Sequence, residues 1–221
     1  MRLLYINPNS TAAMTDAVAQ VARDATPGAE ILGWTNHDGP PAIQGPQDGA
    51  QAVGGILSLL PAARDAGADA IVIACFDDTG LAEVRAAAHC PVLGIGQAAF
   101  HWAALMGHRF SVVTTLPVSV PVIEANITRY GFAGQCGRVR PSGLPVLEVE
   151  AAGPAAMARL ADELTLAERA DGVTAAVLGC AGMAPLLPRL QGASGLVLID
   201  GVAASARLAQ ALALAQAQAR G

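Results

Sequence analysis

Short apolar runs alternate with longer segments of helical periodicity along most of the chain. The runs are rich in Val, Ile and Leu and end in Asn, Asp, Thr or Gly, which is typical of buried parallel strands. The segments between them have a helical pattern of apolar positions and end near Gly or Pro. Strands that alternate with helices predict parallel sheets with right-handed crossovers.

The pattern predicts eight strands and eight helices. The strands cover residues 3–6, 30–35, 69–76, 92–96, 110–114, 137–140, 174–179 and 196–199. The helices cover residues 12–25, 50–66, 81–88, 98–106, 120–130, 154–170, 185–190 and 202–219. Residues 36–49 form a Gly- and Pro-rich loop that is longer than the usual connection. Such a loop is either a lid over a site or an ordinary surface loop.

The second half of the chain repeats the first at an offset of 105 residues. Strand, cysteine, turn, helix, second strand and closing glycine recur without a gap, so that Cys75 corresponds to Cys180 and Gly96 to Gly201. We therefore predict an α/β fold of two pseudo-symmetric halves, each a mainly parallel sheet flanked by helices. The active site is expected in the cleft between the halves.

The domain boundaries follow from the same repeat. The first half is predicted to comprise residues 1–97 plus part of the C-terminal segment, and it carries Cys75. The second half is predicted to comprise residues 98–221 and carries Cys180. Because no stretch of distinct composition separates the halves, we expect them to pack closely together.

The composition argues against several partners. The chain has 221 residues, 53% of them hydrophobic, which is enough for a sizeable core. The net charge of -5 and the lack of a basic stripe argue against nucleic acid. No apolar run approaches the ~18 residues of a membrane span, and the N-terminal run is too short for a signal peptide. We therefore expect a cytoplasmic protein that binds neither nucleic acid nor a membrane and keeps its thiols reduced.

The composition also restricts the chemistry. All 13 basic residues are Arg, so the chain has no Lys to form a Schiff base or a Walker-type phosphate loop. The four cysteines and four histidines show no metal-ligand spacing. The sequence therefore predicts no metal site, no Schiff base and no Walker-type phosphate loop.

The paired cysteines suit proton transfer at a carbon beside a carbonyl group. One thiolate removes the proton from one face, and a thiol opposite returns a proton to the other face. Each cysteine precedes a predicted helix start, where the dipole and free N–H groups are expected to lower its pKa and to hold an enolate oxygen. A single buried cysteine is more often inert, but Cys75 and Cys180 are a matched pair. Cys90 and Cys136 have no such partner and are interpreted as structural.

At this point the sequence resembles the aspartate/glutamate/hydantoin racemase superfamily, and most of all its hydantoin racemase branch. The matching segments are residues 6–15, 73–81, 91–99, 110–116, 178–184 and 199–204. The resemblance implies a cofactor-independent racemase whose catalytic cysteines map to Cys75 and Cys180. It implies a small-molecule substrate, either a 5-substituted hydantoin or allantoin. We also expect a homo-oligomer. The alanine-rich last helix either forms the interface between subunits or packs inside the subunit.

Eight further residues near the strand ends are candidates for substrate binding. They are Asn7, Ile43, Phe76, Asp77, Thr114, Thr115, Ala181 and Gly182. Asn9 is a weaker candidate of the same kind. A side-chain amide can both donate to a ring carbonyl and accept from a ring N–H, and a neutral ring suits the backbone N–H groups of these loops. Turn formation and helix capping are the competing roles for the Asn and Asp residues, and plain loop packing for Ile43.

Other functions remain open at this stage. Amino-acid racemases carry small polar residues after the first cysteine, whereas Phe76 and Asp77 follow Cys75 here. The related decarboxylases keep one cysteine of the two, which argues against that activity. A maleate isomerase-like enzyme and a non-catalytic, two-lobed binding protein are the remaining alternatives. The binding protein gives no reason for matched cysteines.

Overall fold

The computed structural model describes residues 1–220, and its first sheet forms from the predicted apolar runs. Its strands are β1 (Arg2–Asn7), β2 (Glu30–Thr35), β3 (Ala70–Ile73) and β4 (Val92–Gly94), all parallel, in the order β2-β1-β3-β4. Its helices are α1 (Ala12–Ala25), α2 (Pro46–Ser58), α3 (Leu60–Asp65) and α4 (Leu81–Ala87). β3 is buried on both faces, as its unbroken apolar sequence requires.

The second sheet has the same topology as the first. Its strands are β5 (Phe110–Thr114), β6 (Cys136–Pro141), β7 (Ala175–Gly179) and β8 (Val197–Asp200), in the order β6-β5-β7-β8. The helices are α5 (Ile95–Leu105), α6 (Val120–Arg129), α7 (Val146–Ala151), α8 (Pro154–Ala170), α9 (Leu187–Leu190) and α10 (Gly201–Arg220), with 3₁₀ helices at Pro117–Ser119 and Ala181–Leu186. The predicted fold class, two pseudo-symmetric halves with parallel sheets, is confirmed.

Several details differ from the prediction. β3 ends at Ile73, before Cys75, rather than at residue 76, and α5 begins at Ile95 rather than at residue 98. The helix predicted over residues 50–66 is two helices, because the ring of Pro61 cannot continue the hydrogen-bond pattern of α2 and a new helix starts at Leu60. α2 begins at Pro46, which shortens the predicted loop to residues 36–45. α7, a helix of six residues, was not predicted at all.

α10 packs against the first sheet although it follows the last strand of the second. The Tyr5 hydroxyl lies 2.9 Å from the Ser205 hydroxyl and 3.2 Å from the carbonyl oxygen of Val202. Leu3, Tyr5 and Val72 share one core with the alanines of α10. Across residues 1–220, no helix combines the length and the apolar character needed to cross a membrane.

Candidate active site

Both cysteines line one cavity between the two sheets, at the carboxyl ends of their strands, where α/β proteins place their chemistry. The cavity wall consists of Asn9, Met14, Ile43, Ala74, Cys75, Phe76, Asp77, Thr114, Thr115, Ser119, Val146, Gly179, Cys180 and Ala181. Its volume is about 30 Å³. Since one water needs about 10–15 Å³ by this measure, the cavity holds about two waters and must widen to admit a five-membered ring.

Cys75 follows β3, but it does not stand at a helix N-terminus. A turn separates it from α4, with the N–H of Asp78 donating to the Cys75 carbonyl oxygen at 3.0 Å. The Thr79 hydroxyl donates to the Cys75 sulfur at 3.4 Å. Burial raises the pKa of the Cys75 thiol, and the negative charge of Asp77 raises it further, against the opposing effect of the Thr79 hydrogen bond.

Cys180 is the N-cap of the 3₁₀ helix Ala181–Leu186. Burial raises the pKa of its thiol to about 11, while the backbone N–H groups of Gly182 and Met183 favour the thiolate. The prediction that helix starts lower both thiol pKa values is therefore wrong, because burial outweighs the N–H groups at both sites. The net rise in pKa is smaller at Cys180 than at Cys75, so Cys180 is the thiol that ionises more readily.

Asp77 has a buried carboxylate oxygen, Oδ2, without a hydrogen-bond partner in the described structure. Burial raises the pKa of Asp77 to about 7. The residue contributes both to the thiol cavity and to a neighbouring cavity of about 490 Å³ on the other side of the turn. A buried acceptor left without a donor is costly unless a ligand supplies one.

The structure brings six of the eight predicted binding residues into the cavity wall with both cysteines. These are Ile43, Phe76, Asp77, Thr114, Thr115 and Ala181. Asn7 and Gly182 do not line the cavity. The Asn7 amide instead donates to Asn9 Oδ1 at 2.9 Å and to the Thr15 hydroxyl at 3.0 Å.

Sequence reasoning missed part of the wall. Met14 belongs to the first turn of α1, and its signal was its position at the start of the helix that follows β1. Ser119 lies in a 3₁₀ helix and Val146 opens α7, and neither element was predicted. Asn9 lines the cavity as the weaker of the two Asn candidates.

The loop of residues 36–45 crosses the cleft above this cavity. Ile43 contributes to the wall, and the Gln44 side-chain oxygen accepts a hydrogen bond from the Val146 N–H at 3.0 Å. At the start of the loop, the Asn36 amide donates to the carbonyl oxygens of Pro8 and Ala52. These contacts agree with the interpretation of this loop as a lid over a site rather than an ordinary surface loop.

Two parallel sheets of equal topology, with their carboxyl ends at one shared cavity, define an α/β enzyme built from two half-sites. The family described as Asp/Glu/Hydantoin racemase matches residues 3–209. The chain belongs to this family, and it is an isomerase of the racemase class.

The similar proteins include sequences and solved structures. The hydantoin racemase of Rhizobium meliloti is 44% identical over 213 residues, which cover 96% of this chain and 88% of that protein. A structure of allantoin racemase from Klebsiella pneumoniae has 38% identity and a TM-score of 0.93, covering 98% of this chain and 89% of that one. A structure of allantoin racemase from Pseudomonas fluorescens has 34% identity and a TM-score of 0.92, with 98% and 92% covered.

Proposed function

We propose that the protein racemises 5-monosubstituted hydantoins without a cofactor, with Cys75 and Cys180 as its two acid-base groups. The observation that carries this proposal is the placement of two repeat-equivalent cysteines in the wall of one cavity. The similarity to a hydantoin racemase and to two allantoin racemases supports the substrate class, since allantoin is a hydantoin with a ureido group at C5.

The thiolate of one cysteine takes the C5 proton of the bound ring, and the C–H electron pair passes into an enolate at the adjacent carbonyl. The thiol of the other cysteine then gives its proton to the opposite face of C5. After one turnover the first sulfur is the thiol and the second is the thiolate, so the enzyme is ready for the reverse reaction. Cys180, with the lower thiol pKa of the two, is the base in the more populated resting state.

The raised thiol pKa values have a chemical use. A thiolate whose pKa is near 11 is a small fraction at neutral pH, but it is a stronger base toward a carbon acid than an ordinary cysteine. The buried position also keeps water from competing for the proton. We propose that the rate gained in proton transfer offsets the low thiolate population.

The cavity wall suggests how the ring is held. Asp77 Oδ2 is the acceptor for a ring or substituent N–H, since no protein group occupies it. Thr115 and Phe76 contact the ring, while Ile43 contacts the C5 substituent. Thr114 and Ala181 line the rest of the cavity. Asn7 holds Asn9 by a hydrogen bond, and the N–H of Gly182 stabilises the Cys180 thiolate.

Deuterium exchange with single-cysteine variants tests the proposal. Each enantiomer of 5-benzylhydantoin is incubated in deuterated water, and optical rotation and C5–H loss are followed together. We expect both signals to change above the spontaneous rate in the wild type. Cys75→Ala and Cys180→Ala should each reduce racemisation by about a thousandfold or more. Cys136→Ala, in β6, is the control and should retain full activity. Full racemisation by either of the first two variants would refute the mechanism.

Allantoin is a second candidate substrate, and Asp77 favours it. The ureido group of allantoin adds N–H donors that the unpartnered carboxylate oxygen can accept, whereas a benzyl group adds none. Turnover of allantoin and of 5-benzylhydantoin should be compared in the wild type and in Asp77→Asn. A larger loss for allantoin assigns Asp77 to the substituent; an equal loss assigns it to the ring.

Two further properties are proposed with the function. We propose a cytoplasmic enzyme, which agrees with the free thiols of Cys75, Cys136 and Cys180. We also propose a homo-oligomer, which agrees with the exposed apolar side chains of Leu105 and Leu212 on α5 and α10. Light scattering on the purified protein measures the oligomeric state, and a monomeric mass would exclude the second proposal.

A further inference from the structure

Side chains from outside the turn hold the Cys75 loop, which we define as residues 75–80. The Asn126 amide donates to the main-chain carbonyl oxygen of Asp77 at 2.8 Å. The Tyr130 hydroxyl donates to Asp78 Oδ2 at 3.0 Å. Asn126 lies on α6 and Tyr130 caps its C-terminus, and α6 packs against the second sheet. The loop of the first half is therefore tied to the second half.

Asp78 connects the same loop to the start of α5. Its carboxylate accepts the N–H of Gly96 at 2.9 Å and the N–H of Gln97 at 2.8 Å. Its backbone has a φ of 51°, a left-handed conformation that a non-glycine residue keeps only when its surroundings impose it. A Cβ atom at Gly94 would overlap this carboxylate. The path of the Cys75 loop is thus determined by α5 and α6.

The Cys180 side is held in a different way. Apart from the Cys180 sulfur itself, no side chain within residues 1–220 hydrogen-bonds to the segment Ala181–Leu186, whose Met183 and Leu186 are buried in an apolar cluster. The cap of α10 is Asp200, which accepts the N–H groups of the helix that it precedes. Ile95 is the repeat equivalent of Asp200, so α5 lacks a cap of its own and takes it from Asp78 in the Cys75 loop.

We propose that Asn126 and Tyr130 are positioning residues for proton transfer at Cys75 and have no counterpart at Cys180. This inference rests on the proposed two-thiol racemisation. A thiol must sit within hydrogen-bond reach of the proton that it transfers, and a displacement of about 1 Å costs up to about a hundredfold in rate. Loosening the Cys75 loop therefore slows transfer at one face of the substrate and leaves the other face intact.

The two faces can be distinguished experimentally. When transfer at Cys75 is slow, the enantiomer that presents its proton to Cys180 still loses that proton. The thiol exchanges with deuterated solvent, and deuterium returns to the same face. That enantiomer then exchanges its C5 hydrogen without inversion. Cys75→Ala should show this behaviour most strongly, with exchange at C5 of one enantiomer and no inversion.

The test compares Tyr130→Phe and Asn126→Asp with the wild type in deuterated water, one enantiomer of 5-benzylhydantoin at a time. Tyr130→Phe removes only the hydroxyl, and Asn126→Asp replaces a donor with an oxygen of the same shape. We expect inversion to fall by about tenfold or more, which corresponds to one lost buried hydrogen bond, while exchange of one enantiomer changes by less than about threefold. Thr128→Ala, on the exposed side of α6, is the control and should behave as the wild type.

The outcomes separate the two proposals. If the wild type neither inverts nor exchanges any hydantoin, allantoin included, the proposed function fails. If the wild type is active but exchange and inversion fall in parallel for both enantiomers of each variant, the role of the tethers is only structural and the inference is overturned. Unchanged inversion in both variants overturns it as well. Exchange of a single enantiomer without inversion supports it.

Discussion

Asp77→Asn should remove a pH-dependent loss of stability that the wild-type protein carries. The carboxylate is buried, and Oδ2 has no partner, so the folded state favours the protonated acid. Burial raises its pKa from an ordinary value of 3.8 to about 7. The folded protein therefore binds more protons than the unfolded chain between about pH 4 and pH 7, and stability falls as the pH rises through this range.

The magnitude follows from the two pKa values. A pKa that changes by 1 corresponds to about 1.4 kcal/mol. Complete ionisation of Asp77 therefore lowers the free energy of unfolding by about 4 kcal/mol. About 2.5 kcal/mol of this loss arises between pH 5 and pH 8. Asparagine has the same shape and does not titrate. We therefore expect the variant to gain about 2.5 kcal/mol relative to the wild type on going from pH 5 to pH 8.

Urea denaturation followed by circular dichroism at pH 5, 6, 7 and 8 measures this difference directly. Asp16→Asn is the matched control, because Asp16 lies on the exposed side of α1. Its free-energy difference from the wild type should stay constant with pH to within about 0.5 kcal/mol. A difference for Asp77→Asn that changes by less than about 1 kcal/mol over this range would refute the reasoning.

Two substitutions test the packing of the fold by urea denaturation. Gly96→Ala places a Cβ against the Phe76 carbonyl oxygen and should lower the free energy of unfolding by about 2–3 kcal/mol. Gly54→Ala, in α2 with open space around it, should raise the free energy of unfolding by up to about 1 kcal/mol. Equal effects of the two substitutions would contradict the close approach at Gly96. Arg140→Met leaves the buried Asp171 carboxylate without its guanidinium partner at 2.6 Å and should cost about 3–5 kcal/mol. Arg2→Met, in an exposed ion pair, should cost far less than Arg140→Met. A similar loss of stability in both variants would refute the assigned difference in burial.

Most strands were predictable because they are self-contained apolar runs, whereas β6 carries two arginines. The bounds of β2, β5 and α8 agree with the prediction residue by residue. The repeat offset of 105 also predicted that the halves share a topology, since β3 and β7 occupy equivalent positions in their sheets. These features depend on local sequence and on the register of one repeat.

The remaining features depend on tertiary contacts. The thiol pKa values are raised by burial, which the residues next to Cys75 and Cys180 do not reveal. The tie between Asn126 and the Asp77 carbonyl joins residues 49 positions apart, and the bond between Gln44 and Val146 joins residues 102 positions apart. No periodicity in the sequence marks either contact.

The position of α10 has a consequence for the order of synthesis. The face of the first sheet that carries Leu3, Tyr5 and Val72 is covered by residues 201–220, the last part of the described chain to be made. A growing polypeptide that has completed β1 to β4 still exposes this apolar face. We therefore expect a prematurely terminated product that lacks α10 to leave this face exposed and to be prone to aggregation.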